Sequence, residues 1–185
     1  MISAVALGMK EEYLHLFKEM NVHLSMSLPG GRGLSYLSEL QLESQQINGM
    51  LEVSEEVLSY ANRYAHLGTE IPYCSIQNPE KLKRTKIGYK CAAAKSFFVI
   101  DPSGQIRTCN HSPHVVGHIF QKPLISDTAY WNMFAKSDYK PEACGKCRMV
   151  ELCDCGCREV AQILHGNIKE IDMSAICSVK SVSEK

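Results

Sequence analysis

No cysteine occurs in the first 73 residues, although the 185-residue chain has nine. Net charge is also missing, since twenty basic residues balance twenty acidic ones. That balance removes the field that would draw the chain to nucleic acid or to an anionic membrane. No run approaches the ~18 consecutive apolar residues of a membrane span. The start, Met1 to Lys10, has no basic stretch followed by an apolar run and a small-residue cleavage site. Neither a nucleic-acid nor a membrane partner is therefore expected, and the cytoplasm is the expected compartment. A disulfide framework would call for an oxidising compartment, usually a shorter chain, and an even number of cysteines. Metal binding is the better reading of nine.

Apolar residues at Tyr13, Leu14, Phe17 and Met20 recur with helical spacing, and Val22, Leu24, Met26 and Leu28 then alternate with His23, Ser25 and Ser27. The pattern reads as helix then strand. Pro29-Gly30-Gly31 and Gly33 break the strand, and the polar stretch from Ser35 to Asn48 defines no element. A second helix is expected from Ser54 as N-cap, with Val57, Leu58, Ala61, Tyr64 and Ala65 as its core face and Gly68 as its stop. Residues 1–68 thus have α/β character, and a new module, residues 69–185, begins near Ile71-Pro72-Tyr73-Cys74. Within it, Asp101-Pro102-Ser103-Gly104 fits a type I turn between Ser96–Ile100 and Gln105–Cys109, which predicts a hairpin. Glu159 to His165 reads as a short helix ended by Gly166.

The cysteines are unevenly placed, with five between Cys144 and Cys157. Cys91 is followed by twelve residues, Gly104, four residues and Cys109. Then come Cys144, two residues, Cys147, five residues, Cys153, three residues and Cys157, with Cys177 after a gap. A zinc site normally closes two short knuckles on one ion. An iron–sulfur cluster draws its thiolates to separate irons, so irregular loops wrapping it are expected, and thiolate is the soft, anionic ligand it requires. Nine cysteines supply two four-thiolate sites with one to spare.

This order and spacing resembles the seven-cysteine SPASM motif of radical S-adenosylmethionine enzymes that mature peptides and proteins. The resemblance spans residues 71–178 and includes Gly104. It implies a loop-rich α+β iron–sulfur domain with a β-hairpin and short helices, holding two auxiliary [4Fe–4S] clusters. Cys91, Cys109 and Cys157 would hold the first cluster and Cys144, Cys147, Cys153 and Cys177 the second. The first cluster's fourth ligand is variable in that family and often lies upstream, where Cys74 is the one candidate. If Cys74 is instead a buried thiol, one iron is left to solvent or substrate. Cys155 departs from the family's glycine and is expected to be left over, packing as a small apolar thiol or competing for iron.

His111, His114 and His118 are read as loop or surface residues, because Pro113 interrupts them and their spacing suits no helix face. Arg107, Lys146, Arg148 and Arg158 lie near ligands in sequence, where a cation would stabilise an anionic cluster; solvated surface charge is the alternative. With no three-cysteine motif before Cys74, the chain has no expected site of its own for S-adenosylmethionine, and 68 residues are too few for the barrel, given that a full one takes ~250. Residues 1–68 nevertheless resemble the end of such a partial α/β barrel. The chain is therefore expected to be the C-terminal part of a longer or split enzyme, its clusters serving electron transfer and placement of a peptide or protein substrate. A separate barrel half or a reductant protein would be its partner. A free-standing electron carrier and a zinc-stabilised interaction module are the alternatives. Residues 71 onward are expected to depend on bound metal for their order.

Overall fold

A computed structural model describes residues 2–3, 19–20, 24–27, 42–68, 70–88 and 90–175. The expected helix over Lys10–Met20, apart from its last two residues, the Pro29–Gly33 loop and Cys177 lie outside them.

Helix α1 runs from Ser44 to Ala61, its N-cap Glu43 eleven residues before the cap expected at Ser54. Its start is set by Gln46, whose Oε1 accepts the Glu43 N–H at 2.9 Å, half of a capping box. Ser54 is therefore not the cap. It lies in mid-helix, buried, with its hydroxyl donating to the Met50 carbonyl at 2.7 Å. The helix stops at Asn62, left-handed at φ 51°, rather than at Gly68. Tyr64 and Ala65 consequently leave the helix, and Ala65 opens a strand. The buried face is Ile47, Leu51, Ser54, Leu58 and Ala61, a stripe at helical spacing.

Four short parallel strands accompany this helix, in the order β1 (Ile2–Ser3), β2 (Leu24–Ser27), β3 (Ala65–Leu67) and β4 (Thr85–Ile87). Leu24 pairs with Ala65, and Ala65 with Thr85. Parallel neighbours need a crossover, and α1 lies on the one between β2 and β3. Glu55 of α1 fixes the last strand, its carboxylate accepting the backbone N–H groups of Lys83 (3.0 Å), Arg84 (3.0 Å) and Thr85 (2.6 Å). Ile47, Leu51, Leu67, Ile71 and Ile76 form one core, with Leu82 and Ile87 against it. The sheet and its core continue to Ile87, across the division expected between residues 68 and 69.

The remainder is built on a three-stranded antiparallel sheet of β5 (Val99–Ile100), β6 (Gln105–Arg107) and β7 (Gly117–His118). The hairpin forms where the sequence places it, with Ile100 opposite Ile106. Asp101 builds its turn, its carboxylate accepting from the N–H groups of Ser103 and Gln105 while its carbonyl accepts from Gly104. Helix α2 (Thr128–Ala135), which the sequence reading does not include, starts at Asp127, whose side chain accepts the Tyr130 N–H. Helix α3 (Arg158–His165) ends at Gly166 as expected. Ile106, Val116, Tyr130, Phe134, Tyr139 and Ile168 close a second core, so this half has apolar packing of its own. No helix among the described residues is long and apolar enough to cross a membrane.

Candidate metal centre

Two chain segments, 141–147 and 153–157, bring most of the thiols together. Pro141 leads into a 3₁₀ turn over Glu142–Cys144, and the Cys147 N–H then donates to the Cys144 carbonyl at 2.9 Å, placing these two cysteines on one knuckle. From Cys153 to Cys157 the backbone turns twice through left-handed space, at Cys155 (φ 63°) and Gly156 (φ 86°). A Cβ on Gly156 would stand 2.3 Å from the Asp172 carboxylate, so only glycine fits. Arg158 holds the bend from inside. The residue is 1% exposed, and its guanidinium donates to the carbonyls of Cys155, Gly156 (3.3 Å), Ile168 (3.3 Å) and Glu170 (2.7 Å).

The first consequence is a cavity lined by Cys74, Cys144, Cys147, Cys153 and Cys155, with Asp172 and Ala175 also on its wall. Cys153 Sγ accepts N–H groups from Tyr73 (3.4 Å) and Cys155 (3.2 Å). The Cys155 thiol is the largest influence on it, and together these bonds lower the Cys153 pKa, while the same thiol pairing raises that of Cys155. These contacts favour the thiolate form of Cys153.

The second is the set Cys91, Cys109 and Cys157, whose charges act on one another. Burial pushes Cys91 up to about 12 and Cys109 up to about 11, with neighbouring anionic groups adding to the rise, Glu70 and Cys157 at Cys91 and Glu159 and Cys157 at Cys109. These thiols stay protonated until a cation offsets the burial.

Asp154 joins the two sets. It sits between Cys153 and Cys155, is 2% exposed, and its Oδ2 accepts the Cys91 N–H (2.7 Å) and the Tyr139 O–H (3.0 Å). Lys95 and Lys140 balance it at 3.6 and 3.9 Å. Glu159, equally buried beside Cys109, accepts from Thr108 (3.0 Å) and Tyr130 (2.9 Å). Nothing in sequence singles out Asp154, Tyr139, Lys95 or Glu159 beyond the nearness of two of them to cysteines.

No protein-family model, curated protein or solved structure matches this chain. The site is therefore read from its own geometry. Cys144, Cys147 and Cys153 are brought together as the motif implies, and Cys177 follows two residues after Ala175 in sequence but lies outside the described residues. Cys91, Cys109 and Cys157 also form one set. Cys74, expected at the first cluster, lines the cavity of the Cys144 set, next to the Tyr73–Cys153 hydrogen bond. Cys155, buried, lines the same cavity. Of the three histidines, His111 reaches Cys109 through its backbone N–H, and the rings of the other two serve elsewhere. His114 pairs with Asp127 (2.8 Å) and stacks on Tyr130, and His118 bonds the Ser103 carbonyl (3.0 Å). Arg107 bonds Gln105 and Asp101 in the hairpin and the Pro113 carbonyl (2.5 Å) in the loop after Cys109, while Arg158 clasps the Cys153–Cys157 loop.

The eight described cysteines form no disulfide, and among the described residues no three of His, Cys, Asp and Glu stand close enough together to hold a single metal ion. A zinc site would need its four donors ~2.3 Å from one point. Five thiols and the Asp172 carboxylate share the wall of this one cavity.

Proposed function

We propose that this chain binds two [4Fe–4S] clusters as the auxiliary-cluster region of a radical S-adenosylmethionine enzyme that modifies a peptide or protein. The observation that supports it best is the arrangement of eight thiols in two neighbouring sets, tied through the single segment Cys153–Cys157. Bound clusters would supply one-electron transfer. Cys144, Cys147 and Cys153 would hold one and Cys91, Cys109 and Cys157 the other. Asp154 fixes the Cys91 backbone against the loop that carries Cys153, which holds the two sets at a constant separation. Arg158 keeps the intervening carbonyls paired, and its charge offsets the anionic thiolates.

Anaerobic reconstitution tests this reading. About eight iron and eight sulfide per chain, with broad visible absorbance, are expected from two four-iron clusters. Cys144→Ala and Cys109→Ala should each lower the iron content by about half. Colourless protein retaining zinc, or about four iron with no further loss in one of these variants, would replace this reading with a zinc module or a single-cluster protein. Given S-adenosylmethionine and a strong reductant, the chain alone should form no deoxyadenosine; turnover only after a barrel with the three-cysteine motif is supplied would place it in the enzyme rather than among free electron carriers.

A further inference from the structure

The parallel sheet has two unlike faces, because side chains alternate along each strand. On one face Ala65, Leu67 and Thr85 are buried, and Leu67 packs with Ile47 and Leu51 of α1. On the other, His66 and Lys86 are exposed and stand side by side in register. One step nearer the strand starts is the pair Tyr64 and Arg84. The guanidinium lies 5.3 Å from the centroid of the Tyr64 ring, that tyrosine is 62% exposed, and Arg84 Nη1 donates to the Arg63 carbonyl at 3.3 Å. One step the other way is Gly88, where a Cβ would meet only the His66 ring, at 3.7 Å. No aspartate or glutamate occurs in any of the four strands, nor in residues 63–68 or 83–88. The chain as a whole is neutral, yet this face is cationic.

Parallel sheets are ordinarily covered on both faces. An apolar cover here would bury the charges of Arg84 and Lys86 without partners, which is strongly unfavourable. We propose that this face docks an acidic peptide segment, lying extended along β3 and β4 with aspartate or glutamate at alternate positions. The spacing suits such a segment. Arg84 and Lys86 are two residues apart on one strand, ~6.6 Å, which is also the repeat of alternate side chains in an extended peptide. One carboxylate then meets Arg84 and the next meets Lys86, with the His66 ring beside it as a further hydrogen-bonding group. Stacked on Tyr64 and tied to the Arg63 carbonyl, the Arg84 side chain has little freedom left to lose on binding. No cysteine takes part, so the surface stands whether or not the chain holds clusters.

Fluorescence anisotropy of a rhodamine-labelled peptide of repeated Ser-Glu, titrated with the full chain, tests this. Saturable binding at low salt that weakens as ionic strength rises is expected. Lys86→Glu and Arg84→Gln should each weaken it by at least about fivefold, whereas Lys169→Gln, at a cation already paired with Asp138, should leave it unchanged. Lys86 is exposed, so its variant keeps the fold, which far-ultraviolet circular dichroism checks. A peptide of repeated Glu-Glu-Ser-Ser, equal in length and charge but without glutamates two apart, should bind at least about threefold more weakly. No binding at low salt, equal affinity in Lys86→Glu, or equal affinity for the second peptide would overturn the proposal. Tighter binding of a short oligouridine, lost in the same variants, would give the face to nucleic acid instead. A dimer in sedimentation that Lys86→Glu dissociates would give it to a second copy of the chain, and either result would likewise overturn the proposal.

Discussion

Arg158 carries more of the site than its place outside the motif suggests. Four backbone carbonyls, two in the cysteine loop and two beyond α3, converge on one buried guanidinium. Arg158→Ala would leave them without donors, and an unsatisfied buried group costs ~1–3 kcal/mol, so a loss of about 3 kcal/mol, roughly 6–12 °C in melting temperature, is expected. Lysine should not rescue it, because an ammonium cannot reproduce the planar fork. Thermal melts of the anaerobically reconstituted variants check this, and a change within 2 °C would mean that water replaces the side chain. The thiols of the three-cysteine set predict a different signature in the metal-free chain. Their ordinary pKa is 9.0, and the fold raises Cys91 to about 12 and Cys109 to about 11. Raised groups contribute stability that is complete below the unfolded value and is lost as pH rises through the folded ones. Urea midpoints should therefore fall between pH ~9 and ~12, and fall less in the Cys91→Ser, Cys109→Ser double variant. An equal decline in both proteins would remove the thiols as its cause.

Elements in this chain are short, and side chains rather than long ladders fix several of them. Strand β4 has three residues, and Glu55 on α1 accepts the N–H groups of its first residue and the two before it. Glu55→Ala should cost about 1–2 kcal/mol, less than the sum of three bonds because water reaches Lys83. The loss should be local: hydrogen exchange at Thr85–Ile87 accelerates while that at Leu51 and Leu58 in α1 does not. Acceleration spread evenly over both would assign Glu55 to the helix instead. The same shortness explains which elements could be read from sequence. The hairpin was legible because Asp101 and Gly104 carry its turn chemistry, and α3 because Gly166 marks its end. Ser54 misled, since a serine followed by two glutamates imitates a cap, whereas the real start depends on Gln46 reaching back to Glu43. Three-residue strands such as β3 and β4 carry too little alternation to be seen. Likewise, Cys144, Cys147 and Cys153 are close in sequence and line one cavity, but Cys74 reaches the same wall beside a hydrogen bond between Tyr73 and Cys153, 80 residues apart, which no spacing encodes.

At the scale of the whole molecule, order in the second half has two sources. Around Ile106, Val116, Tyr130, Phe134 and Tyr139 there is an apolar core, an antiparallel sheet and a capped helix. From Pro141 to Cys157 there are turn hydrogen bonds, the Arg158 clasp and cysteines around a cavity, with no strand and only a single 3₁₀ turn. The sequence alone suggests that everything after residue 71 needs metal, but the core makes that expectation too broad, because burial of this kind holds without a ligand. Removing metal with a chelator should therefore unfold part of the molecule. Amides of residues 141–157 and 171–175 should lose protection by at least about tenfold, which is ~1.4 kcal/mol of local stability, while those of Ile106, Val116 and Phe134 keep theirs. Strand β4 and helix α1 should not respond, since their core of Ile47, Leu51, Leu67, Ile71 and Ile76 contains no cysteine. Hydrogen exchange before and after chelation distinguishes the cases. Uniform loss from residue 90 to 175 would mean that the aromatic core is itself organised by the clusters, and no loss anywhere would mean that the cysteine loops are held without metal and that Arg158 and Asp154 suffice to keep the two thiol sets in place.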